Sequence, residues 1–139
     1  MKTDLRQHEQ YLARCRALGA EAAAAGESPA GALVLVDGAV VGEGRESSRQ
    51  VRDVTCHAEV VAIRAACWAL TQPYLAGATL YTSHEPCLLC AYVIRHVRLA
   101  GVVIGQRVPH VGGATSAFPL LTTPDIPVWG PPPVLLFVE

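Results

Sequence analysis

Ala78-Thr79-Leu80-Tyr81-Thr82, the segment from Cys87 to Val97, and Gly101-Val102-Val103-Ile104-Gly105 follow one another along the chain. The first is a short β-prone run. The second places Ala91, Ile94 and Arg95 at helical offsets. The third is β-branched and bracketed by glycines, as expected of a strand buried on both faces. Strand, helix, strand in that order is the unit from which parallel sheets are assembled.

The flanking sequence extends this unit. Ala32-Leu33-Val34-Leu35-Val36, the pair Asp37-Gly38 and Ala39-Val40-Val41 form an apolar run, a two-residue turn and a second run, which predicts a hairpin. The polar stretch from Gly42 to Val54 reads as loop. Thr55 to Leu70 is helical through Val60, Ile63, Cys67 and Leu70, and Gln72-Pro73 closes it. Before the hairpin, Leu5, Leu12, Cys15, Leu18 and Ala22 mark an amphipathic helix that stops at Gly26-Glu27-Ser28-Pro29. Beyond Val108 the chain is rich in Gly and Pro, and Val134 to Val138 reads as a last strand. Alternating strands and helices predict an α/β layered domain over residues 1–139, its hairpin antiparallel within a mainly parallel sheet. Ligands in such sheets collect beyond the carboxyl ends of the strands.

With 139 residues, the chain can bury roughly two-thirds of its unfolded surface. Hydrophobic residues make up 51% and charged residues 17%, which excludes a disordered chain or a coiled coil. No apolar run approaches the roughly 18 residues of a membrane span. Eleven basic and 12 acidic residues give a net charge of -1, and Lys2 is the sole lysine, so nucleic acid is a disfavoured partner. The N-terminus has no apolar signal core, and five cysteines is an odd number, so cytoplasm is expected, with thiols serving as core residues or metal ligands.

His57-Ala58-Glu59 and Pro86-Cys87-Leu88-Leu89-Cys90 stand where a helix begins. Cysteines at i and i+3 on a first helical turn share nearly one face, so both sulfurs can reach one ion, with His57 as third ligand. Three protein ligands leave a tetrahedral zinc its fourth position for water, the arrangement of a catalytic site. Glu59 is placed to carry protons between that water and a substrate. Two other readings stay open: Cys56 as a fourth ligand closing a structural Cys-His-Cys-Cys site, and a zinc module without catalysis. Cys15 and Cys67 read as core thiols, His8 as a solvated helix residue and His96 as a packing residue. Trp129 with Pro131-Pro132-Pro133 reads as a stiff tail packed on the domain, with an active-site lid as the alternative.

His-x-Glu followed by Pro-Cys-x-x-Cys resembles the signature of the zinc-dependent cytidine deaminase superfamily. Across nearly its whole length the chain is similar to the branch holding tRNA adenosine, guanine and cytosine deaminases. The likeness lies in Pro29-Ala30-Gly31-Ala32, Gly42-Glu43-Gly44, Cys56 to Arg64, Thr82 to Cys87, Val102 to Gly105 and Gly112 to Ser116. It implies a three-layer α/β/α sandwich with a five-stranded mixed sheet, one Zn2+ per chain and a homodimer. His57, Cys87 and Cys90 would hold the zinc, with Glu59 as proton shuttle in a hydrolytic deamination. Where the family has a base-contacting asparagine, eleven residues before the zinc histidine, this chain has Glu46. Tyr92 replaces a small residue, and Val108 and His110 replace an acidic residue and a lysine of the tRNA enzyme. Glu46, Ala58, Tyr92 and His110 are therefore the expected substrate contacts. The expected substrate is a small aminated heterocycle resembling guanine, isocytosine or an aminotriazine; the alternatives are cytosine, a nucleoside, or adenosine in tRNA.

Overall fold

A computed structural model describes residues 4–139; the reading of the N-terminus falls partly on residues 1–3, outside the described residues. The elements in chain order are α1 (Leu5–Ala24), β1 (Gly31–Val36), β2 (Ala39–Arg45), α2 (Ser48–Val51), α3 (Ala58–Leu70), β3 (Thr79–Thr82), α4 (Leu88–Val97), β4 (Gly101–Ile104) and β5 (Val134–Phe137). A 3-10 turn at Pro127–Trp129 precedes β5. The sheet order is β2-β1-β3-β4-β5. β1 runs antiparallel to both β2 and β3, whereas β3, β4 and β5 are mutually parallel. The expected mixed five-stranded sheet is present, with β1 as its reversed strand. Asp37 and Gly38 both take positive φ, 50° and 78°, the twist that a two-residue hairpin turn requires.

Two cores flank the sheet. On one side α1 sets Leu12, Cys15 and Leu18 against Leu33, Leu35, Tyr81 and Val103. On the other, α3 and α4 set Ala58, Ala62, Ile63, Ala66, Ala91 and Ile94 against Ala32, Val34, Leu80, Val102 and Ile104. The small residues facing β2 let α3 lie almost flush on it. A side chain at Gly44 would put its Cβ 2.3 Å from the Ala58 carbonyl oxygen, and one at Gly42 would come 2.4 Å from that of Ala62. This fit fixes the start of α3, and therefore His57, against the end of β2.

The structure corrects four expectations. The stretch from Gly42 to Val54 is not all loop: β2 continues to Arg45, and α2 follows. The Glu27 carboxylate accepts from the Arg49 and Gln50 amides of α2 at 3.1 and 2.7 Å, a cap supplied from the α1–β1 loop and absent from the local pattern. His8 is buried, its Nδ1 2.8 Å from the Tyr81 hydroxyl, because it lies one helical turn before Leu12 on the packed stripe. Leu5, expected on that stripe, is 60% exposed. Cys67 is half-buried, with its Sγ 3.8 Å from the Pro73 carbonyl oxygen, and not a core thiol. Cys15 is fully buried as expected.

Candidate active site

Two helix starts meet beyond the carboxyl end of β3. His57 is the N-cap of α3 and Cys87 the N-cap of α4; both have extended backbones, and neither uses its side chain to cap its helix. A Ser, Thr or Asp would turn inward to the first amides. The imidazole and thiol are thereby left to other partners, near the positive end of each helix dipole. Cys90, one turn into α4, is fully buried.

His57 Nδ1 stands 3.4 Å from both Cys87 Sγ and Cys90 Sγ. The three ligand atoms all lie within 4.8 Å of one another. A zinc with bonds of ordinary length holds tetrahedral N and S ligands about 3.6 Å apart, so this donor set fits zinc in both chemistry and span. Hydrogen bonding from the Cys90 thiol, aided by backbone amides and the His57 charge and opposed by burial, pulls Cys87 down to about 5. The same hydrogen bond, then burial and the nearby Glu59 charge, pushes Cys90 up. A metal ion bound between them would take both sulfurs as thiolates, with loss of their protons. Cys56, although buried, stands outside this group; its amide donates to the Asp53 carbonyl at 3.1 Å. That places the fourth-ligand reading outside the geometry.

Glu59, on the first turn of α3, is 6% exposed. Its Oε2 lies 2.9 Å from Cys90 Sγ, and its Oε1 accepts from Thr82 Oγ1 at 2.7 Å. Thr82 Oγ1 is also 2.9 Å from the His84 carbonyl oxygen, so its single proton is shared between two acceptors. The carboxyl is thus held beside the ligand sulfurs in a dry setting, the placement a proton carrier needs.

The remaining expected contacts are scattered. Ala58 is buried at the start of α3. Glu46 is half-buried just past β2; its Oε1 accepts from Ser48 Oγ at 2.5 Å, and the adjoining Ser47 amide donates to the Cys56 carbonyl at 3.0 Å. His110 is exposed at the tip of the turn closed by the Gly112 amide and Val108 carbonyl at 2.7 Å. Tyr92 is 48% exposed, stacked on His96 at 5.5 Å and edge-on to Trp129 at 4.9 Å. Two residues past Cys90 on a helix lies the opposite face, so Tyr92 belongs to that aromatic group and not to the metal side. His96 packs there as expected. Thr82 and Glu85 flank the strand-to-helix junction that carries the two cysteines, and no local sequence pattern marks either for a role.

Residues 5–106 match the family model for the cytidine and deoxycytidylate deaminase zinc-binding region. The chain belongs to that family and is a zinc-dependent hydrolytic deaminase. It is 35% identical over 101 residues to the tRNA-specific adenosine deaminase of Aquifex aeolicus (strain VF5), covering 73% of this chain and 67% of that one. Over 112 residues it is 38% identical to the guanine deaminase of Bacillus subtilis (strain 168), covering 80% of this chain and 70% of that one. A solved tRNA:A34 deaminase, from a study of A-to-I editing at the wobble position, superposes with a TM-score of 0.88 at 30% identity. It covers 95% of this chain and 99% of that one.

Proposed function

We propose that residues 1–139 form one deaminase domain, acting in the cytoplasm as a homodimer, that releases ammonia from a free nucleobase or a related aminated heterocycle. The observation that carries the reading is the Glu59 carboxyl, buried 2.9 Å from Cys90 Sγ within reach of the His57, Cys87 and Cys90 ligand group. His57, Cys87 and Cys90 would hold a zinc ion, which would supply the Lewis acidity that makes water nucleophilic near neutral pH. Glu59 takes the proton lost by the attacking water and passes it to the ring nitrogen, then carries the remaining hydroxyl proton to the departing amine. A C–O bond forms, the exocyclic C–N bond breaks, and the products are a ring carbonyl and ammonia. Thr82 holds Oε1 and so orients the carboxyl between the two proton positions.

Glu46 supports a guanine-like, isocytosine-like or aminotriazine substrate. An ionised carboxylate only accepts hydrogen bonds, so it matches a ring N–H and amine edge and opposes the carbonyl of cytosine. An unpaired donor or acceptor in a buried site costs about 1–3 kcal/mol. The likeness to guanine deaminase is in line with this. A second reading, adenosine in tRNA, is supported by the full-length likeness to the tRNA:A34 deaminase and by exposed Arg49 and Arg52 on and beside α2.

The deciding experiment measures ammonia release from guanine, isocytosine, aminotriazines, cytosine, nucleosides and adenosine-34 tRNA. Turnover of the 2-amino-oxo heterocycles, shifted toward cytosine in Glu46→Asn, is the expected result. Inosine formed in tRNA with no turnover of free bases establishes the second reading.

A further inference from the structure

The loop after β4 is fastened to the metal-binding segment by one buried carboxylate. Glu85 is 3% exposed. Its Oε1 accepts from the Val108 amide at 2.9 Å and from Thr115 Oγ1 at 2.5 Å. Its Oε2 accepts from the Ala114 and Thr115 amides at 2.9 and 2.8 Å. An ionised carboxylate offers acceptors alone, and all four of these partners are donors. Backbone contacts place the same loop beside a ligand: Gly112 pairs with Cys87 as an isolated bridge, and the Gly113 amide donates to the Pro86 carbonyl at 2.8 Å. At Gly112 a Cβ would lie 2.0 Å from Glu85 Oε2, so a residue without a side chain is needed for the loop to close over the carboxylate.

Resting on the deaminase reading above, we propose that Glu85 is a positioning residue that sets the 108–115 loop as a preformed wall of the substrate site. The loop spans residues far from β3 in sequence, yet its path is dictated from the junction that carries Cys87. Glu85 touches neither a ligand sulfur nor Glu59 among its hydrogen-bond partners, so it acts on where the substrate rests and not on the proton transfer.

Glu85→Gln keeps the shape but turns an amide N–H toward one of the donors. Thr115→Val removes a single donor and is the milder variant. In each, bound zinc should stay at one per chain. The amides of residues 108–115 should exchange with solvent faster, by about tenfold in Glu85→Gln, while those of α3 and β1 keep wild-type rates. With whichever substrate the ammonia panel identifies, KM should rise about tenfold with kcat changed less than about threefold. Thr115→Val should move both readouts the same way by less. Unchanged loop exchange, lost zinc, or a fall in kcat at constant KM would overturn the proposal. The exchange and zinc measurements need no substrate, so a chain inactive on the whole panel refutes the substrate reading while those two still decide whether Glu85 positions the loop.

Discussion

Two segments lie against α4 and are held to it by different means. The one at its start, residues 82–90, runs into the helix: Cys87 and Cys90 are one helical turn apart, while Thr82 and Glu85 reach side chains and amides 23 to 30 residues away on either side of the same junction. The one along its flank, residues 120–130, buries Leu121 in the core and is tied to the helix by one guanidinium. Arg95 is 1% exposed; its Nη1 donates to the Leu120 and Thr123 carbonyls at 2.8 and 2.9 Å, and its Nη2 to the Gly130 carbonyl at 3.4 Å. Its Nε has no hydrogen-bond partner among the described residues, and burial lowers its pKa below the ordinary guanidinium value. Trp129 completes the seat on Tyr92 and His96. The first attachment carries the chemistry, and the second carries the packing of the Pro-rich tail.

The largest effect tests whether the first attachment is the metal site. Cys87→Ala should abolish stoichiometric zinc and all turnover, whereas Cys56→Ala should keep one zinc per chain by elemental analysis. Full zinc in Cys87→Ala would dissolve the contrast between the two segments. Next, Glu59→Gln should retain zinc and fold while kcat falls about 10²–10⁴-fold, the usual worth of a proton carrier. Ammonia release near the wild-type rate would remove Glu59 from the mechanism.

The second attachment is probed through stability. Arg95→Leu takes the donors from three tail carbonyls and should cost about 2 kcal/mol, since acceptors left unpaired on burial cost about 1–3 kcal/mol each and some of these regain water. Zinc content and kcat should hold, and proteolysis within residues 120–130 should quicken. A loss of zinc in this variant would show that the tail supports the metal site after all.

These attachments also differ in how far the sequence discloses them. The ligand set was legible because Pro-Cys-x-x-Cys puts two sulfurs on one helix face and His-x-Glu sits at a second helix start. The sheet was legible because its strands are short apolar runs between Gly and Pro. Arg95 looks in sequence like one more helical offset, since nothing local distinguishes a buried arginine whose partners are backbone carbonyls 25 to 35 residues away. Glu27, which caps α2, and Glu85, which fixes a loop, are hidden for the same reason. Their partners are backbone amides, which every sequence contains. Tyr92 was placed by analogy with a substituted position, and the helix turns it toward Trp129.

The smallest expected effect concerns the opposite face of the sheet, where His8 is buried. Burial, then the neighbouring Tyr11 and Cys15, push the Tyr81 hydroxyl up to about 12 from an ordinary 10.0. The unfolded chain releases that proton near pH 10 while the folded chain keeps it, so the unfolded state binds fewer protons and stability falls as pH rises from 10 toward 12. Below pH 10 the hydroxyl is protonated in both states and adds no pH dependence. Tyr81→Phe removes both this titration and the 2.8 Å hydrogen bond to His8 Nδ1. It should therefore be less stable than wild type at pH 7 by about 1 kcal/mol, the net worth of one such bond. That deficit should shrink as pH climbs past 10. Cys15, pushed up to about 12 chiefly by burial, bends both stability curves from about pH 9, and their difference reports Tyr81 together with its coupling to Cys15. Urea denaturation of both proteins between pH 7 and 11 measures the gap. A constant gap would mean that Tyr81 titrates alike folded and unfolded, and that α1 does not seal this face of the sheet as tightly as α3 and α4 seal the other.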